Sequence, residues 1–337
     1  MSAPPTIGAV AIGRNEGERL RVCLGSLLRQ ASAVVYVDSG STDGSAELAR
    51  SLGAQVVDLD LSVPFTAARA RNEGLARLRA AAPEAEFVQF VDGDCELVEG
   101  FVDAALGRFA AEPELAVVCG RRRERHSEAT LWNRLTDIEW DTPVGVARSC
   151  GGDALIRVSA LAEVGGYDPS VIAGEEPEMC FRLRALGWTI ERIDQEMTLH
   201  DAAMTRFGQW WKRSVRAGHA AAEGAWMHGR SPERFSVRRV ARPVFWAGLL
   251  PLLALAAAWW TVGISLAVLA GLYAVQWWRI RSREARQGRI DFPGAYAMFV
   301  LIGQFALLVG VLTFARNRLL GRRATIIEYK APTTADG

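Results

Sequence analysis

From residue 6 to about residue 201 the chain alternates between short, densely apolar runs and longer stretches whose apolar side chains recur every three or four residues. The runs IGAVAI (7–12), AVVYV (33–37), QVVDL (55–59) and FVQFV (87–91) are almost continuously apolar, as strands covered on both faces are. Between them, residues 18–29 carry Leu20, Leu24, Leu27 and Leu28 at helical spacing, and 45–52 and 66–79 read as two further helices. Strands alternating with helices of this length imply βαβ units, and so an α/β domain with a doubly wound, mainly parallel sheet covered by helices on both faces.

After Arg242 the pattern changes. Residues 243–278 contain no charged side chain, too long a run for one bilayer crossing of about 20 residues and short for two. We expect two short spans, 244–260 and 262–278, with Trp259, Trp260, Trp277 and Trp278 at headgroup level, and a third apolar run from Asp291-Phe292-Pro293 to about residue 314. The expected domains are therefore 1–225, a basic juxtamembrane segment 226–242, a C-terminal helical membrane region 243–315 with two to three spans, and a basic then polar tail 316–337. Arginines 230, 234, 238, 239 and 242 precede the first span, and 279, 281, 283, 286 and 289 follow the second. Both loops are expected on the cytoplasmic side of an inner (plasma) membrane. The N-terminus MSAPPTIGAV is too short and uncharged for a signal peptide, which would leave the first domain on that side as well. The basic residues of 315–323 fit this rule only if the last segment is re-entrant or tilted, or the tail is an exception.

Composition narrows the picture further. A net charge of +1 gives no support to bulk nucleic-acid binding, so no nucleic-acid partner is expected. The 5 cysteines are scattered, odd in number and without CxxC spacing, which suits a reducing compartment and argues against a structural zinc site. Neither GxGxxG after the first strand nor GxxxxGK[ST] occurs.

The strand ends carry the chemistry. The first strand is followed by Gly13-Arg14-Asn15-Glu16, the second by Asp38-Ser39-Gly40-Ser41-Thr42-Asp43-Gly44, and the fourth by Asp92-Gly93-Asp94; the third helix carries Arg69-Ala70-Arg71-Asn72. Asp-Gly is also a common turn dipeptide, and Ser41, Thr42 or Asp43 suits a helix N-cap. In an open α/β sheet, however, four such segments converge on the crevice at the carboxyl ends of the strands. Acids, arginines and a helix N-terminus together are what a metal-bound diphosphate requires.

The ordered strings VVYVDSGSTDGS, ARNEGLA and FVDGD resemble the inverting glycosyltransferases of family two, which have the nucleotide-sugar-binding GT-A fold. GGDALIRVSALAEVGGYDPSVIAGEEPEMCFRLRALGW resembles the second half of that domain, so the similarity covers about residues 6–211. The resemblance implies a nucleotide-sugar donor and a catalytic Mg2+ or Mn2+. It places Asp38 against the nucleotide base, with Asn15, Glu16 and Ser41 in the same nucleotide-sugar-binding region, and Arg71 near the diphosphate. Asp94 would be the direct metal ligand, with Asp92 near the ribose or a metal-bound water and His200 a candidate to complete the metal site. Gly174-Glu175-Glu176 aligns with the family's GED motif, whose Asp is the general base; this assigns the role to Glu176, with the adjacent Glu175 as the alternative. An acid cluster in the first turn of a helix is the plainer explanation of the same residues.

Gln209-Trp210-Trp211-Lys212-Arg213 faintly resembles the QxxRW element of processive polysaccharide synthases, and equally suits an interfacial helix with its tryptophans toward lipid. The expected activity is inverting transfer of one sugar to a lipid-linked or saccharide acceptor in envelope or exopolysaccharide assembly. A processive synthase and a non-catalytic nucleotide-sugar-binding membrane scaffold are the alternatives.

Overall fold

The computed structural model describes residues 5–322, so the expected tail lies outside the described residues from 323 onward. The chain divides into one compact unit ending at Thr205 and a second beginning at Arg206. Among the described residues the first contains nine strands: β1 Ile7–Gly13, β2 Ala33–Asp38, β3 Gln55–Asp58, β4 Phe87–Asp92, β5 Cys95–Leu97, β6 Leu115–Glu124, β7 Gly145–Val146, β8 Ala154–Arg157 and β9 Thr189–His200. They form one sheet in the order β3-β2-β1-β4-β8-β6-β9-β5, with β7 paired to β9. From β3 to β4 every pairing is parallel, as the apolar runs predict, and β6–β9 is parallel too. β8 is antiparallel to both its neighbours, which makes the sheet mixed but mostly parallel at its core.

The expected helices form as Glu18–Leu28, Ser45–Ser51 and Ala67–Ala81. The last begins where Thr66 accepts a hydrogen bond from the Arg69 amide, a side-chain cap for an otherwise orphaned donor. It lies very close to the sheet: a Cβ on Gly74 would come within 2.4 Å of Val10 and 2.9 Å of Val37. Only a residue without a side chain permits that approach, and it sets the height of Arg71, one turn earlier, relative to the strand ends.

The second unit holds helices Phe207–His228, Val237–Ala257, Ile264–Gln287 and Pro293–Leu319. The unit boundary falls about twenty residues before the expected 225/226 division, because Phe207–His228 packs along Pro293–Leu319. There the backbones nearly touch, and a Cβ on Gly310 would lie 2.0 Å from the Val215 carbonyl oxygen. Trp210 is buried against Phe299, ring centroids 5.5 Å apart, so this tryptophan faces protein where a lipid-facing position was a prospect. Two helices, Val237–Ala257 and Pro293–Leu319, are long and apolar enough to cross a membrane. The expected span 262–278 is not one of them. It forms the first part of Ile264–Gln287, whose uncharged portion ends at Trp278 before four arginines, giving about 22 Å of helix against a hydrocarbon core of about 30 Å.

Candidate active site

The parallel register places Gly13 opposite Asp38 and Ile12 opposite Asp92. The ends of β2, β1 and β4 therefore lie side by side, with Asp38 and Asp92 roughly 10 Å apart at a strand spacing of about 4.8 Å. This is the crevice expected of an open α/β sheet.

At its β2 side, Asp38 is consumed by its own loop. One carboxylate oxygen accepts from the Gly40 and Ser41 amides (2.9 and 2.8 Å), the other from the Ser41 and Tyr36 hydroxyls (2.5 and 3.1 Å). Four donors fill a carboxylate's lone pairs, so Asp38 shapes the loop. Burial, then the Asp38 charge, pushes the Tyr36 phenol well up, leaving it a neutral donor. Asn15 adopts a left-handed backbone (φ 55°), which asparagine tolerates. Its amide then donates to Ser41 Oγ (2.9 Å) while its side-chain oxygen accepts from the Thr42 amide (2.8 Å). The amide of Glu16 donates to Ser45 Oγ (3.2 Å), and its carboxylate pairs with Arg19 (3.0 Å). Asn15, Glu16, Asp38 and Ser41 thus form one assembly joining the first two loops.

At the β4 side, Asp92 is gripped from both directions. Arg71 binds one oxygen (2.9 Å) and Arg122 the other (2.8 Å). Burial acts to raise the Asp92 carboxyl, but Arg71 and then Arg122 outweigh it and hold it down at about 2. Arg71 is itself buried and also binds Glu175 Oε1 (2.6 Å), so it links the third helix to the GEE segment and does not project freely toward a diphosphate. Asn72 reinforces that link, exchanging hydrogen bonds with both backbone groups of Tyr167 (2.7 and 2.9 Å). Arg122 continues inward to the fully buried Asp153 (3.0 Å), which also accepts from the Asp92 amide (3.1 Å) and the Thr198 hydroxyl (2.8 Å). Burial raises the Asp153 carboxyl, against the pull of Arg122.

Asp94 belongs to a different neighbourhood. After Gly93 the chain crosses to pair β5 with β9, and this register sets Cys95 opposite His200. His200 Nε2 lies 3.3 Å from Asp94 Oδ2, and its Nδ1 lies 3.5 Å from Glu124 Oε2 at the end of β6. That Nδ1 is buried without a hydrogen bond, and Trp140 packs edge-on against the ring at 4.7 Å. Donor atoms of Asp94, Cys95 and His200 all fall within 4.8 Å of one another, a set that fits a divalent cation.

The GEE segment opens helix Glu175–Ala185. Glu178 pairs with Arg182 on the next turn (2.8 Å), as an ordinary helix acid does. Glu175 and Glu176 diverge. Glu175 turns to Arg71, whereas Glu176 Oε1 accepts from the Cys150 amide (2.5 Å) and the Cys180 thiol (3.0 Å). Glu176 Oε2 has no donor among the described residues, and no cation pairs with the group.

Every site residue expected from sequence lies in this one unit. Sequence reasoning missed Arg122, Glu124, Asp153, Cys150 and Cys180. Arg122 and Glu124 are hidden in the run GRRRER, where neighbouring charges look alike, although the acid closing GGD (151–153) was a visible signal.

A mixed, mostly parallel sheet with carboxylates, arginines and a candidate cation site at its strand ends defines a GT-A-type glycosyltransferase domain. Residues 91–280, more than half of the chain, match the model of glycosyl transferase family group 2, and residues 10–163 match glycosyl transferase family 2; the chain belongs to this family of enzymes. It is 29% identical over 230 residues to a pre-mycofactocin glycosyltransferase of Mycobacterium tuberculosis, covering 64% of this chain and 46% of that protein. The chain thus spans about half the length of that relative. It is 22% identical over 267 residues to glycosyltransferase AglE of Haloferax volcanii, covering 74% of this chain and 83% of that one. Among solved structures, a mannosyltransferase from Pyrobaculum calidifontis in complex with GDP-Man and Mn2+ superimposes with a TM-score of 0.56 at 17% identity, covering 94% of this chain and 89% of that one. That likeness is one of fold.

Proposed function

We propose that this glycosyltransferase moves one sugar, with inversion, from a nucleoside-diphosphate sugar to a lipid-linked or saccharide acceptor in envelope or exopolysaccharide assembly. The observation that carries the reading is the division of labour along the strand ends. A preformed loop at β2 and β1 stands beside an Asp94–His200 cation site, and a carboxylate without a cation of its own, Glu176, stands beside the Arg71–Asp92 network. The Pyrobaculum enzyme's GDP-Man and Mn2+ support a nucleotide sugar and a metal as the ligands of this kind of crevice.

In this mechanism the loop built by Asp38, Asn15, Glu16 and Ser41 receives the nucleoside. Asp94 and His200 would hold Mg2+ or Mn2+, the imidazole nitrogen favouring manganese. The ion's chemistry is neutralisation of charge on the departing diphosphate. Arg71 and Arg122 keep Asp92 ionised and fixed at the crevice edge. Glu176 takes the proton of the acceptor hydroxyl as its oxygen bonds to the anomeric carbon and the bond to the diphosphate breaks, one displacement that inverts the centre. Glu175, tied to Arg71, positions the start of the helix that carries Glu176.

Glu176→Gln keeps size and polarity but cannot accept a proton. Turnover of donor by the purified chain with an envelope lipid extract should fall at least about 10²-fold, with donor affinity nearly unchanged. Glu175→Gln should cost less. Abolished turnover in Glu175→Gln with retained turnover in Glu176→Gln would transfer the base role to Glu175.

We place the enzyme at the inner (plasma) membrane, supported by the two apolar helices and by the arginines that follow Trp278. The active-site domain and the arginines of 279–289 should lie on the same, cytoplasmic side, which requires the short apolar part of Ile264–Gln287 to return across a locally thinned bilayer after Val237–Ala257; a single crossing there would put the arginines outside. Cysteines introduced at either place should resist an impermeant thiol reagent in intact cells, and labelling of the arginine segment from outside would overturn the assignment.

A further inference from the structure

Close to Glu176, and separate from Asp94, two thiols approach each other. Cys150 Sγ and Cys180 Sγ are 3.8 Å apart, and Cys180 Sγ is 3.0 Å from Glu176 Oε1. Donor atoms of all three residues lie within 4.8 Å of one another, and all three residues are buried. We propose that Cys150, Cys180 and Glu176 form a second cation site, selective for a soft divalent ion of the zinc class, whose occupation withdraws Glu176 from proton transfer.

The spacing supports it. Tetrahedral zinc with Zn–S bonds of about 2.3 Å requires sulfurs about 3.8 Å apart, the separation already present. Glu176 and Cys180 stand four residues apart on one helix, so they present donors from the same face without backbone movement. Cys150 arrives from the loop before β8, already tied to Glu176 through its amide. Three protein ligands leave the fourth position to water, the usual form of an open zinc site. Two sulfurs prefer zinc to magnesium or manganese, whereas the Asp94 site offers an oxygen, a nitrogen and the single sulfur of Cys95. On binding, each thiol releases its proton to solvent as its sulfur bonds the metal. Two thiolates and a carboxylate around a divalent ion leave one negative charge, placed at the N-terminal turn of helix Glu175–Ala185, where the helix dipole favours it.

The inhibitory half of the proposal rests on Glu176 as base; the binding half does not. The test uses the full chain in detergent with a phosphine reductant, carrying Asp94→Asn and His200→Ala so that the other candidate site is silent. Cobalt(II), as a zinc stand-in, should bind at one equivalent with a thiolate-to-cobalt charge-transfer band, and zinc should displace it. Adding Cys150→Ser or Cys180→Ser should weaken binding at least about 100-fold. Absence of the band, or its persistence with both cysteines replaced, would overturn the site. Because a misfolded variant would also lose metal, the unsubstituted chain provides a second reading. Zinc should protect Cys150 and Cys180 from alkylation while the rate at Cys119 stays unchanged, and equal labelling with and without zinc overturns the proposal. With Mn2+ held in excess, zinc should lower kcat in the unsubstituted chain but not in Cys150→Ser. Zinc bound by the two thiols with turnover undiminished would uphold the site and remove Glu176 as the base.

Discussion

The two carboxylates of Asp92-Gly93-Asp94 lie one residue apart and live in different surroundings. Asp92 is held by two arginines, the buried Arg71 and the partly buried Arg122, and each arginine holds a second acid, Glu175 or Asp153. Asp94 meets an imidazole, itself backed by Glu124. In the first arrangement an arginine already occupies each oxygen of Asp92, so the carboxylate braces the end of β4 against the third helix and β6. The second retains the nitrogen and oxygen donors that a divalent ion uses. Acids that look equivalent in sequence thus differ in their partners, arginines for Asp92 and an imidazole for Asp94, and the proposed ligand role falls to the second.

The comparison can be broken most severely from the brace. Arg71→Ala leaves Glu175 and one oxygen of Asp92 without their partner in a buried setting. It should destabilise the fold by about 3 kcal/mol, the scale of a broken buried ion pair, read from denaturant unfolding. Stability within about 1 kcal/mol of the unsubstituted chain would show that the network is not a brace.

Asp94→Asn should do the reverse: little change in unfolding, but at least about 100-fold weaker Mn2+-dependent nucleotide-sugar binding by calorimetry. Unchanged affinity in the presence of Mn2+ would dissolve the distinction between the two acids. The smallest effect is expected from Glu124→Gln. Glu124 acts on the cation only through His200, as a positioning residue, so the Mn2+ affinity should fall by about tenfold. A loss of stability with unchanged Mn2+ affinity would make Glu124 purely structural.

Much of the fold was legible in the sequence. Four apolar runs became β1 to β4 nearly as read, since a strand buried on both faces has no choice but to be apolar throughout. β9 stands outside those four runs: it lies between β6 and β5, and its second half mixes polar and apolar residues, so it lacks the continuous apolar signal. The membrane segments were read by counting uncharged residues. That count placed a span at 262–278, whereas the helix that forms there continues through its arginines to Gln287.

By itself the sequence determined the α/β alternation, the ordered acidic strand ends and the family, because these depend on local pattern: period, turn residues and short motifs. Only the tertiary structure decided which way neighbouring carboxylates point. Glu175 and Glu176 are adjacent on a helix, and the roughly 100° between successive residues sends one to Arg71 and the other to Cys150 and Cys180. Likewise, His200 reaches Asp94 because the β5–β9 register brings together residues more than a hundred positions apart. No spacing along the chain encodes either outcome, since both are set by how strands and helices pack.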